Sequence, residues 1–158
     1  AALFIGISKS IEEKKKVTTL RQLAAFVRAM KNEVCSEKTS LCKLIYSDSL
    51  DSFYALSRFI ENMRSGVKAL GERRFCDIWS ECVNRSFPDI PEKAKSSLMT
   101  LGMSLGRYDA EIQMKAFERC ESILQSECED AERELKSNGK MYIGLGGCAG
   151  AIIALMLV

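Results

Sequence analysis

Val17-Thr-Thr-Leu-Arg-Gln-Leu-Ala-Ala-Phe-Val-Arg-Ala-Met-Lys-Asn-Glu-Val34 is the stretch whose reading decides the fold class. Val17, Leu20, Leu23, Ala24, Val27, Met30 and Val34 recur at spacings of three and four. On a helix of 3.6 residues per turn that spacing makes a single apolar stripe. No proline or glycine interrupts the stretch, so the pattern predicts a long first helix over roughly residues 10–36.

Downstream the same period returns. A short second helix is expected after Thr39, with Leu41, Leu44 and Ile45 inward. A third is expected over about residues 50–65, carrying Phe53, Leu56, Phe59, Ile60 and Met63. A fourth, over about residues 73–84, carries Phe75, Ile78, Trp79, Cys82 and Val83. Pro91 suits the opening of a fifth, which uses Leu98, Leu101 and Leu105 and stops at Gly106. Asp109 is expected to cap a last and longest helix striped by Ile112, Ala116, Phe117, Cys120, Ile123 and Leu124. The fold class is therefore all-α, an antiparallel bundle of about six helices.

Charge is distributed unevenly. Residues 8–34 hold seven Lys/Arg against three Asp/Glu, whereas residues 109–140 hold five against nine. Side by side, the basic first helix and the acidic last one complement each other, which sets orientation more than stability. The overall net charge of +2 is too small to imply a nucleic-acid partner. Seven cysteines form no C-x-x-C, and Cys76, Cys82, Cys120 and Cys128 sit inside helical patterns, which favours buried thiols over disulfides. The chain has no histidine, excluding Cys/His zinc sites, histidine general bases and Ser-His-Asp triads.

The ends differ from the middle. Residues 141–158 contain no charged side chain and as a helix would rise about 27 Å, close to the hydrocarbon thickness of a bilayer. They are expected to form a C-terminal transmembrane helix rather than a buried core helix. Gly146, Gly147, Gly150 and Ala151 leave a small-residue face on it for close packing against another helix. Residues 1–7 are apolar, too short to span, and are expected to be the remnant of an N-terminal transmembrane helix, a cleaved signal peptide being the alternative. Lys9, Lys14, Lys15, Lys16 and Arg21 follow the first apolar end, and Arg133, Lys136 and Lys140 precede the second. The positive-inside bias then places residues 8–140, the helical bundle domain, in the cytoplasm.

One motif remains, Leu98-Met-Thr-Leu-Gly-Met-Ser-Leu-Gly-Arg-Tyr-Asp-Ala-Glu-Ile-Gln113. Gly102 and Gly106, four apart, share a helical face that another helix can approach closely. Asp109 offers its carboxylate to the free amides opening the last helix, Glu111 complements that helix's dipole, and Gln113 is placed to bond back across the turn. Gly102, Leu105, Gly106, Asp109, Glu111 and Gln113 therefore make a packing corner that doubles as a candidate partner contact.

The motif resembles the L-x-x-L-G-x-x-L-G-x-x-D-x-E-x-Q pattern of the stage III sporulation protein AB family. The resemblance extends to Leu20 onward with Glu33, to Thr39-x-Leu41, to the single Trp79 and to the glycine-rich closing segment. Ser40 departs from it, since the family often has proline there. The resemblance implies a spore-forming bacterium and a mother-cell membrane protein with two spans around a helical domain. It further implies a place in the channel joining mother cell and forespore during engulfment. The family is similar to F-type platform proteins of type II secretion and type IV pilus systems, which implies other channel proteins and a secretion-type ATPase as partners. On this reading the protein is not an enzyme, and neither a cofactor nor a small-molecule substrate is expected.

Two rival readings start from the residues. Glu127, Glu129, Asp130, Glu132 and Glu134 include a Glu129-x-x-Glu132 spacing that puts two carboxylates on one helical face, as a metal-dependent nucleotide hydrolase would need. A membrane scaffold unrelated to sporulation is the other.

Overall fold

The computed structural model describes residues 2–107 and 109–157, with side chains described for residues 5–107, 109–139 and 154–157. It is all-α, with about seven helices when the π-helical turn is counted beside six α-helices. They are α1 (Ala2–Lys31), α2 (Leu41–Ile45), α3 (Ser57–Val67), α4 (Phe75–Ser86), α5 (Glu92–Leu105) and α6 (Ala110–Leu157), with a π-helical turn, Asn32–Ser36, continuing α1. Two 3-10 turns, Asp48–Ser52 and Tyr54–Leu56, lead into α3. Neighbouring helices pack in a ring: α3 on α4, α4 on α5, α5 on α6 and α6 on α1, which closes the circle through the turn at Tyr54–Leu56.

The expected stripes fill the interior of this ring. Leu20, Leu23, Val27 and Met30 of α1 are buried, with Phe59, Ile60 and Met63 of α3, Ile78, Trp79 and Val83 of α4, Leu98, Leu101 and Leu105 of α5, and Phe117, Cys120 and Leu124 of α6. Phe26, outside the predicted stripe, is buried too. It meets Phe53 and Phe59 edge-on at 5.8 and 5.9 Å between ring centroids, and Phe59 in turn meets Trp79 edge-on at 5.3 Å. This T-shaped chain is the geometry aromatic quadrupoles favour, and it joins α1 to α4 through α3.

Three expectations are corrected. The third helix does not begin near residue 50: Ser47 caps a 3-10 turn, and Phe53, at φ −87° and ψ 69°, breaks the helix before Ser57. Ile112 is exposed, because at about 100° per residue it lies about 140° around α6 from buried Phe117. Cys76 is only half-buried, whereas Cys82, Cys120 and Cys128 are buried. All six cysteines with described side chains are free thiols. Burial pushes the Cys120 thiol up to about 11, against a hydrogen bond with Ser97, so it behaves as a small apolar residue.

Among the described residues no helix is long and apolar enough to cross a membrane. The proposed spans and the small-residue face at Gly146, Gly147, Gly150 and Ala151 fall mostly outside the residues whose side chains are described. The helical backbone of α6 runs through residue 139 without a break.

Candidate functional site

Two features of the bundle hold the residues singled out by sequence: the corner between α5 and α6, and the seam between α1 and α6.

At the corner, α5 ends on Gly106, which adopts φ −84° and donates its N–H to the Ser104 carbonyl. Leu105 beside it is buried. Asp109 then opens α6: its Oδ1 accepts from the Glu111 and Ile112 amides at 2.9 and 3.2 Å. This is the capping expected from the sequence, satisfying two of the amides that a helix start leaves without partners. Gln113 reaches back from α6, its Nε2 donating to the Arg107 carbonyl at 2.6 Å and the Leu105 carbonyl at 3.3 Å. The turn is therefore fastened from both sides.

The two glycines of the motif have different jobs. Gly102 is buried beneath Trp79: a Cβ there would stand 2.8 Å from Cγ and 2.9 Å from Nε1 of the indole, and closer still to Cδ1. The close approach lets the Trp79 indole N–H donate to the Leu98 carbonyl at 2.8 Å. Gly106 is exposed and a Cβ there would meet nothing within 4 Å, so the shared close-packing face does not extend to it. Glu111 points to solvent and accepts from Lys115 at 2.7 Å.

The corner exposes Gly106, Arg107 and Glu111, together with Met103 and Ile112, 60% and 41% exposed. Met103 was not singled out from sequence. Its only signal there is a large apolar residue on the polar side of the α5 stripe. Leu105, Gly102 and Gln113 work inside the corner.

The seam pairs α1 with α6 antiparallel, as the opposite charges of the two stretches suggest. Arg28 Nε and Lys31 Nζ donate to the two oxygens of Glu121 at 2.6 and 3.1 Å, Arg21 pairs with Glu132, and Asn138 Nδ2 donates to Glu13 at 3.0 Å. In every pair the residue numbers add to between 149 and 153, so the register holds steadily along the seam. Burial pushes the Glu121 carboxyl up, but the hydrogen bonds from Arg28 and Lys31 outweigh it and hold the group below its ordinary value.

Two members of the acidic run on α6 are paired, Glu132 with Arg21 across the seam and Asp130 with Arg133 within α6. Among the described residues no group of three or more Asp, Glu, His or Cys side chains is arranged to hold a metal ion. In the cleft between α3 and α4, Arg73 and Arg85 both turn onto Glu81.

The residues of the sequence pattern thereby acquire structural roles. Leu20 and Trp79 lie in the core, and the Glu33 carboxylate accepts from the Thr39 hydroxyl at 3.2 Å, closing the turn after α1. Ser40, at φ −67°, holds a backbone that proline would also adopt, and caps α2 by accepting from the Lys43 amide. Comparison with curated proteins and with solved structures finds no match to either. The sequence profile described as stage III sporulation protein AB matches residues 1–158, the whole chain. The chain belongs to the stage III sporulation protein AB family.

Proposed function

We propose that this protein is a non-enzymatic, membrane-anchored platform component of the channel between mother cell and forespore. Its bundle stands on the cytoplasmic side of the mother-cell membrane and docks a secretion-type ATPase, alongside other channel proteins. Family membership supports the setting in sporulation.

The observation that carries the anchoring is the antiparallel seam. It sends the apolar start of α1 and the apolar end of α6 away from the same end of the bundle, and Ile5, Ile7, Leu155, Met156 and Leu157 are all exposed there. Apolar side chains left exposed on two adjacent helix ends are what a bilayer would cover. The α5–α6 corner lies at the opposite end. From Ala110 to Gly139 α6 rises about 44 Å, so a partner at the corner would sit well clear of the headgroups. The corner's rigid backbone and its exposed Met103 and Ile112 suit it to protein contact, since docking on a preordered surface loses little conformational entropy.

The test is a pull-down of the cognate secretion-type ATPase by the full chain in detergent or nanodiscs, with Ile112→Glu and Met103→Glu as variants. Capture by the parent and its loss in both variants is expected. No capture by the parent would refute the docking role, and Mg²⁺-dependent nucleotide turnover by the chain alone would refute the non-enzymatic one.

A further inference from the structure

We infer that the lysines around the membrane-facing end of the α1–α6 seam form a collar that binds anionic phospholipid headgroups. The inference rests on the anchoring just proposed and deepens it by naming the lipid class.

Sequence places eight cations near the two apolar ends, but the structure divides them. Arg21 is committed to Glu132 and Arg133 to Asp130. Among the described residues Lys9, Lys14, Lys15, Lys16 and Lys136 form no ion pair. Residues 9–16 and 134–140, which the seam's register sets side by side, hold six lysines against three glutamates. One of those glutamates, Glu13, turns into the seam to meet Asn138.

On α1 the seam face runs through Gly6, Ser10, Glu13 and Val17, each half-buried or buried. Lys9, Lys14 and Lys15 therefore project away from it, exposed, as does Lys136 on α6. Ile7 and Ile11 are exposed among them, at 55% and 60%. Unpaired cations interleaved with exposed apolar side chains match the headgroup level of a bilayer, where alkyl stems meet hydrocarbon and ammonium groups meet phosphate. A soluble acidic protein would account for the lysines but leave the isoleucines in water.

The experiment uses the full chain reconstituted into bilayers of phosphatidylcholine and phosphatidylglycerol in equal amounts. Resistance to carbonate extraction reports anchoring. After mild detergent extraction, the lipids retained by the protein are quantified for the parent and for a variant combining Lys9→Gln, Lys14→Gln, Lys15→Gln and Lys136→Gln. All four residues are exposed, and unchanged Trp79 fluorescence verifies the fold. The parent is expected to retain phosphatidylglycerol about fivefold over phosphatidylcholine, the value of one lysine at an anionic surface, and the variant to lose that preference while staying anchored. Equal retention by an anchored parent, or an unchanged preference in the variant, overturns the collar alone. Release of the parent by carbonate overturns the anchoring beneath it.

Discussion

Replacing Gly102 by alanine tests the packing at the heart of the motif, because competing effects predict opposite signs. On an exposed helix the substitution would stabilise by about 1 kcal/mol through helix propensity. Here the added methyl would stand 2.8 Å from Trp79 Cγ, and the indole is buried with Phe59 against it at 5.3 Å, so it has little room to retreat. Overpacking of this kind costs about 1–3 kcal/mol. Any retreat of the ring also stretches the Trp79 bond to the Leu98 carbonyl, and a buried donor left without its partner costs about 1–3 kcal/mol more. The balance is a loss of about 2 kcal/mol, or a fall in melting temperature of about 6 °C for a chain of this size. Trp79 is the only tryptophan, so its emission reports the site directly, with helical circular dichroism following global unfolding. Gly106→Ala is the internal control: nothing lies within 4 Å of its Cβ position, and a change within about 0.5 kcal/mol is expected. A Gly102→Ala protein as stable as the parent, with unshifted emission, would refute the close Trp79 contact.

Other outcomes follow from the same geometry. Asp109→Ala should cost about 1 kcal/mol through loss of the α6 cap, with Asp109→Asn or Ser restoring most of it in urea titrations. Glu121→Ala should cost about 1–2 kcal/mol, less than a fully buried pair would, because Arg28 is more than half exposed. A carboxyl held below its unfolded value stabilises above that value, so Glu121 should contribute at neutral pH and lose its contribution as pH falls below the ordinary 4.5. Melting curves of Glu121→Gln should accordingly show a weaker acid dependence than the parent's. Thiol reagents at about pH 8 should modify exposed Cys42 readily and Cys120 only after unfolding, since burial keeps Cys120 as the unreactive thiol.

Much of the bundle is legible from side-chain period because burial follows it. Leu20, Leu23, Val27 and Met30 are all within the core, as their spacing requires. The corner was legible for the same local reason: Asp109 and Gln113 act over two to eight residues, a range that turn chemistry governs. The break at Phe53 was not legible, since an apolar run with helical spacing also tolerates two 3-10 turns when neighbours fix its path. Nor was Phe26, which lies off the stripe and is buried only because Phe53 and Phe59 fold back over it.

By itself the sequence determined the helical class, the order of helices, the cap at Asp109 and the opposite charges of the first and last helices, all set by local period and composition. Only the tertiary structure decided the register of α1 on α6, which of two identical glycines is buried, and which cations are already paired. The register depends on residues about a hundred positions apart meeting in space and the buried glycine on Trp79 of the preceding helix, contacts of which one-dimensional spacing carries no record.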